Sequence, residues 1–151
     1  MTELDERAPQ RRTIPWYVAA APLCVMVVIF ALSSRSQLPN LDGGRDIQSV
    51  AGHFLVYALL SATLTLLFRS LGWGIVPAFV VAVLISALYG VSDEFHQSFV
   101  PNRDSDVHDL IVDCIGAVFG SLLMNMLVET RRHRASASSD ADRDPPAAGN
   151  S

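Results

Sequence analysis

Four apolar runs constrain the fold of this 151-residue chain more than any other feature. The hydrocarbon core of a bilayer, roughly 30 Å thick, is crossed by a helix of about 20 mostly apolar residues. Runs of that kind lie near residues 14–33, 50–68, 75–99 and 106–128. Because backbone groups inside a bilayer must be hydrogen-bonded within the chain, these runs predict helices. The predicted fold is all-α, a four-helix transmembrane bundle in one domain over residues 14–128.

The two ends of the chain are polar. Residues 1–13 form a charged tail, and residues 129–151 are small, polar and proline-containing, which predicts disorder in both tails because they have little to bury. The first apolar run follows arginines, as in a secretory signal. It is longer than the apolar part of a signal, about 7–15 residues, and no A-x-A cleavage site follows it. A retained first helix is therefore expected.

Arginine placement predicts the orientation of the bundle. The tails and the second loop hold eight of the eleven arginines, and the first and third loops hold three. An excess of basic residues marks the cytoplasmic side of a membrane. We therefore expect a multi-pass protein of the plasma membrane, with both termini in the cytoplasm.

Ionisable residues crowd the stretch from Tyr89 to Gly120, between two apolar runs. Such groups are costly at a membrane helix and often mark a functional site. On the fourth helix, polar and small residues recur at steps of three or four, so they share one face. These residues are Asp106, Asp109, Asp113, Gly116 and Gly120. Since the two glycines allow a neighbouring helix to approach closely, this face is expected to point into the bundle.

Polar residues of two other helices are expected at the same membrane surface. Tyr89, Asp93 and Gln97 form one row near the end of the third helix, with Glu94 on an adjoining row. His53 and Tyr57 lie one turn apart near the start of the second helix. If successive helices alternate in direction, these groups converge on the non-cytoplasmic side. The candidate polar site comprises His53, Tyr57, Asp93, Glu94, Gln97, Arg103, Asp106, Asp109 and Asp113.

The order of short motifs resembles that of a known family. The motifs are His-Phe-x-x-Tyr-x-x-Leu at 53–60, Asp-Glu-x-x-Gln at 93–97, Pro-x-Arg at 101–103 and Asp-x-x-x-Asp at 109–113, followed by Gly116 and Gly120. In this order, over most of residues 14–128, the chain resembles the VanZ-like family of small bacterial membrane proteins, whose founding member is associated with teicoplanin resistance. The resemblance implies a role in the lipoglycopeptide response, or in handling a lipid-linked cell-wall component. One departure is Ser49 and Val50, where members often carry a Lys-containing pair.

Three kinds of function remain open for the polar site. In an enzyme acting on a lipid-linked phosphate or head group, Glu94 or Asp113 would be the general base and Arg103 would hold a phosphate. In a binding or structural site, the carboxylates would organise the helices, and Arg103 would clamp Glu94 and Asp106. In an ion- or proton-coupled transporter, so few helices would need to oligomerise. No Gly-x-Ser-x-Gly motif supports a nucleophilic enzyme.

A divalent cation is the one cofactor that the residues make chemically sensible. Glu94, Asp109, Asp113 and His53 offer the carboxylate oxygens that hard cations favour, although no tight ligand motif is present. The expected partners are the lipid bilayer and, by resemblance, a lipid-linked cell-wall component or a glycopeptide. With a net charge of −4 and no basic stripe interleaved with aromatic residues, the chain shows no sign of nucleic-acid binding.

Overall fold

Four helices make up the computed structural model of the protein, which describes residues 13–35, 47–101 and 106–143. They are α1 (Trp16–Ser33), α2 (Ile47–Ser70), α3 (Ile75–Gln97) and α4 (Val107–Arg143). Each is long and apolar enough to cross a membrane. The described residues contain no strand. The prediction of an all-α, four-helix transmembrane bundle is confirmed.

Local chemistry explains where several helices begin and end. Gly72, with φ 93°, closes α2 in a left-handed conformation that glycine adopts at little cost, and its N–H donates to the Arg69 carbonyl at 3.1 Å. At the start of α4, Asp106 Oδ1 accepts the His108 backbone N–H at 2.9 Å, which is a capping hydrogen bond. α3 ends at Gln97, two residues before the predicted end, with Pro101 shortly beyond it.

The helix α2 lies at the centre of the packing. α4 packs mainly against α2 and also against α3, while α1 packs on α2 and α3. A small buried core of Ile29, Tyr57, Leu60, Leu64 and Ala82 joins α1, α2 and α3. Large apolar residues such as Leu88 and Met126 are exposed on the outside of the bundle. This outward apolar surface is what a lipid environment requires.

α4 continues beyond the predicted membrane span of 106–128. Disorder is predicted from residue 129 onward, but the helix continues through Arg143. Alanine and arginine are strong helix formers, and this segment is rich in both. Ser136 also bonds back to the Arg132 carbonyl at 3.2 Å, so its hydroxyl does not compete with the helix. The predicted disordered segments at 1–12 and 144–151 lie outside the described residues.

Candidate functional site

A histidine and an aspartate from two helices meet at one end of the bundle. His53, in the second turn of α2, places Nδ1 3.0 Å from Asp113 Oδ1 of α4. His53 is 7% exposed and Asp113 is fully covered. A carboxylate held on one ring nitrogen fixes the orientation of an imidazole and directs the other nitrogen, Nε2, to a different partner.

Glu94 of α3 is the third member of this cluster. One ligand atom from each of His53, Glu94 and Asp113 lies within 4.8 Å of the other two. Glu94 is 7% exposed, and its Oε2 accepts the backbone N–H of Asp106 at 3.0 Å. We call these three residues the acid–histidine cluster. Because each member comes from a different helix, the packing of α2, α3 and α4 assembles the cluster.

Tyr57 packs against His53 of the cluster. Its ring stacks on that of His53, with centroids 6.5 Å apart and planes 5° apart, and the residue is fully buried. A Cβ at Gly90 would lie 3.3 Å from Asp113 Oδ2 and 3.5 Å from Tyr57 Cε1, so the glycine makes room for both side chains. Within the described part of the chain, neither Asp113 Oδ2 nor the Tyr57 hydroxyl has a hydrogen-bond partner.

The polar row of Tyr89, Asp93 and Gln97 turns toward α1 instead. Gln97 Nε2 donates to Asp93 Oδ2 at 2.7 Å and lies 3.5 Å from Ser33 Oγ of α1. The Tyr89 hydroxyl donates to the Met26 carbonyl of α1 at 2.7 Å. The two polar rows of α3 are thus divided, one serving the α1–α3 contact and the other, with Gly90 and Glu94, facing α4.

The remaining predicted site residues lie at the start of α4 or outside the described residues. Asp106 caps α4, and its Oδ1 is 2.7 Å from His108 Nδ1. Asp109 is half-buried in the first turn of α4 and is not a member of the acid–histidine cluster. Arg103 lies outside the described residues. The structure therefore brings together only part of the predicted set.

Gly116 and Gly120 lie where α4 meets α2 most closely. A Cβ at Gly116 would be 2.4 Å from the Phe54 carbonyl oxygen, and one at Gly120 would be 1.9 Å from that of Ala58. Real Cβ atoms essentially never come so close, so both positions need a residue without a side chain. Small residues at this spacing let two membrane helices approach closely.

The environment limits what the cluster can do chemically. A charged side chain in a membrane interior is tolerated when it is paired or bound to a cation. The His53–Asp113 contact supplies such a pair. The same groups could exchange a proton with a ligand through the imidazole, or they could hold a hard cation through oxygen and nitrogen donors.

Sequence reasoning missed several buried polar contacts on α2 and α4. Thr65 Oγ1 lies 2.7 Å from Ser121 Oγ, and at the opposite end of the bundle Arg69 forms an ion pair with Glu129. Arg69 also donates to the Trp73 carbonyl at 2.8 Å. The sequence does contain a signal for these contacts. Polar residues recur at steps of four along α2, and this row reaches Arg69, one residue beyond the apolar run 50–68. The sequence pattern also does not predict the contact of His96 with Phe30 of α1, whose ring centroids lie 4.7 Å apart.

Comparison with known proteins identifies a family for most of the chain. A family model described as VanZ/LLP1 matches residues 17–128. The matched segment includes parts of all four helices and the whole acid–histidine cluster. No match is found among curated proteins or among solved structures.

Proposed function

The chain belongs to the VanZ/LLP1 family, and we propose that its acid–histidine cluster is an outward-facing site for the head group of a lipid-linked component of the cell envelope. The observation that carries this proposal is the convergence of His53, Glu94 and Asp113 from three helices within 4.8 Å. Such a site, at the membrane surface, suits a ligand that the membrane itself delivers.

The roles within the site follow from exposure and contact. His53 and Glu94 each keep 7% of their surface exposed, whereas Asp113 is fully covered. A head group would therefore meet His53 and Glu94 first. Asp113 would act through His53 by holding its Nδ1, so that Nε2 can take up or release a proton at the head group. Arg103, three residues before Asp106 in the sequence, is proposed to bind the phosphate.

An apolar groove supports a lipid as the ligand. It has a volume of about 460 Å³ and lies between α2 and α4, at the same helical turns as His53 and Asp113. Its lining is Val50, Ala51, Phe54, Leu55, Val112 and Ile115. A hydrocarbon chain in this groove would bring its head group to the end of the bundle that holds the cluster.

The orientation is part of the proposal. Both termini are placed in the cytoplasm of a bacterial cell, which puts the cluster on the outer side of the plasma membrane. Single cysteines at Asn40 and Asn102, in a background without Cys24 and Cys114, should react with an impermeant maleimide in intact cells. A cysteine at Leu71, in the turn between α2 and α3, should react only after permeabilisation. The reverse pattern would overturn the orientation.

The decisive experiment compares lipid-linked precursor pools in cells that carry the wild-type protein, a variant or no protein. The wild type is expected to change the pool and the susceptibility to teicoplanin, and Asp113→Asn should restore the protein-free pattern. Asp109→Asn is the matched control, because it removes a carboxylate one turn away that lies outside the cluster. Both variants must reach wild-type abundance in the membrane. Unchanged pools and susceptibility with the wild-type protein would refute the proposal.

A divalent-cation site is a second candidate for the same residues. The specific observation in its favour is the buried Asp113 Oδ2, which has no hydrogen-bond partner among the described residues. His53 and Glu94 offer possible metal-ligand atoms close to the Asp113 carboxylate. Purified protein should then bind about one equivalent of Mn²⁺ or Zn²⁺ by elemental analysis. Glu94→Gln should lose the ion, while Asp109→Asn should keep it. Equal binding by these two variants would exclude the cluster as the cation site.

A further inference from the structure

A second polar feature follows the interface of α2 and α4 along the whole bundle. It consists of side chains that recur every four residues on α2 and at steps of four or eight on α4, where Ala117 interrupts the polar row, so each row lies on one face. We call it the α2–α4 polar seam, and it comprises His53, Tyr57, Ser61, Thr65 and Arg69 on α2, and Asp113, Ser121, Asn125 and Glu129 on α4. Apart from Glu129, every member is buried.

The seam is long enough to cross most of a membrane. His53 and Arg69 are 16 residues apart on one helix, which at 1.5 Å per residue is about 24 Å. The hydrocarbon core of a bilayer measures about 30 Å. One end of the seam is the His53–Asp113 pair, and the other is the ion pair of Arg69 with Glu129, whose side chain is 31% exposed.

Between the two ends of the seam, several polar atoms find no hydrogen-bond partner within the described part of the chain. Among the described residues, the Tyr57 hydroxyl, the Ser61 hydroxyl and both amide atoms of Asn125 make no hydrogen bond. Asn125 is only 5% exposed. A buried polar group without a partner costs several kcal/mol in hydrocarbon. If the seam served only to hold the helices together, these groups would be expected to bond across the interface, as Thr65 and Ser121 do at 2.7 Å.

Water satisfies such groups where the spacing allows it. Successive seam members on α2, and those from Ser121 to Glu129 on α4, are about 6 Å apart along the axis, since four residues rise by 1.5 Å each. One water molecule spans that distance with two hydrogen bonds of about 2.8 Å. Buried water typically makes about three hydrogen bonds to polar groups that lack other partners. The spacing of Tyr57, Ser61 and Asn125 therefore suits a chain that alternates hydroxyl or amide groups with water.

We propose that the α2–α4 polar seam is a water-bridged path that conducts protons between the two membrane surfaces. A proton enters at the His53–Asp113 pair. The imidazole of His53 gives up a proton from nitrogen, and each hydroxyl or water beyond it accepts one proton on an oxygen lone pair and releases another through its O–H bond. The Asn125 amide holds water by hydrogen bonds and exchanges no proton itself. A proton leaves at the Glu129 carboxylate, and one positive charge has crossed the membrane. Asp, Glu and His side chains inside a bilayer are a known basis of proton relays, and the seam has such groups at its two ends.

This activity shares the His53–Asp113 pair with the proposed lipid site but does not require a bound lipid, because the rest of the path lies beyond the acid–histidine cluster. The chain provides a matched pair of threonines to test it. Thr65 lies in the seam and also donates to the Ser61 carbonyl at 2.8 Å. Thr63 has the same kind of bond within its helix, to the Leu60 carbonyl at 2.8 Å, but it is not a seam residue. Replacing either threonine with valine conserves shape and removes one hydroxyl.

The experiment uses the full chain reconstituted in phosphatidylcholine–phosphatidylglycerol vesicles that contain a pH-sensitive dye. A potassium gradient with valinomycin makes the interior negative and drives protons inward. Wild-type vesicles are expected to acidify faster than protein-free vesicles, Thr63→Val should keep this flux, and Thr65→Val should lose most of it. Ser121→Ala, which removes the partner hydroxyl on α4, should reproduce the loss.

Three results would overturn the proposal. The first is acidification by the wild type at the protein-free rate. The second is equal flux through Thr65→Val and Thr63→Val, or wild-type flux through Ser121→Ala. The third is a current that follows external Na⁺ at constant pH, which would indicate an ion path instead. Circular dichroism of the reconstituted variants separates a lost path from a lost fold.

Discussion

Replacing Gly120 with alanine tests the central packing contact of the bundle. The new Cβ would lie 1.9 Å from the Ala58 carbonyl oxygen, whereas ordinary contact begins at 3.4 Å. The neighbouring atom belongs to the backbone, so no side-chain rotation relieves the clash. α2 and α4 must therefore separate by about 1.5 Å, the difference between the two distances. The Thr65–Ser121 distance of 2.7 Å would then exceed hydrogen-bonding range.

The size of the effect follows from three contributions. Overpacking of this kind costs about 3 kcal/mol. The lost bond between helices adds about 0.6 kcal/mol. Against this, alanine is favoured over glycine in a helix by about 1 kcal/mol. We therefore expect Gly120→Ala to lower the free energy of unfolding by about 2.6 kcal/mol. Gly116→Ala should have a smaller effect, because its closest contact is 2.4 Å.

The measurement is reversible unfolding in mixed detergent micelles, followed by the loss of helical circular dichroism. Gly52→Ala is the control, since a Cβ there would meet nothing within 4 Å. It should raise the free energy of unfolding by about 0.5–1 kcal/mol through helix propensity alone. If Gly120→Ala proved as stable as Gly52→Ala, the backbone contact between α2 and α4 would be refuted.

Three other predictions use the same unfolding measurement. A double-mutant cycle with His53→Gln and Asp113→Asn should give a coupling energy of about 0.6–1.7 kcal/mol, and a value near zero would contradict their 3.0 Å contact. Glu129→Gln, which leaves the buried Arg69 guanidinium without its carboxylate, should destabilise more than Arg69→Gln combined with Glu129→Gln; the opposite order would exclude a dominant ion pair. Tyr89→Phe removes the hydroxyl that donates to an α1 carbonyl, so the free energy of unfolding should fall by about 0.6 kcal/mol, and no change would show that this bond does not hold α1.

The features that could be predicted from the sequence depend on local periodicity. Four apolar runs predict four helices, because each helix satisfies its own backbone hydrogen bonds. The step of four between Gly116 and Gly120 places them on one face, and a face of small residues in a membrane packs against another helix. Neither inference requires knowledge of which helices are neighbours.

The features that could not be predicted depend on the rotation of one helix relative to another. Asp93 and Glu94 are adjacent in sequence, yet Asp93 bonds to Gln97 beside α1, whereas Glu94 lies with His53 and Asp113. Periodicity places them on adjoining rows but does not say which helix each row faces. The length of α4 could not be predicted for a different reason. Hydropathy falls sharply after residue 128. Such a fall marks the end of a membrane span, whereas the helix itself continues to Arg143.

The close approach of α2 and α4 links the packing to both polar features. Gly116 and Gly120 lie between Asp113 and Ser121 on α4, and they contact the backbone of α2 at Phe54 and Ala58. The helix separation that they permit therefore also sets the His53–Asp113 and Thr65–Ser121 distances of 3.0 and 2.7 Å. A larger residue at Gly120 would lengthen both contacts at once. It follows that proton flux through the seam and chemistry at the cluster should both decline in Gly120→Ala, whereas Thr65→Val should impair only the flux.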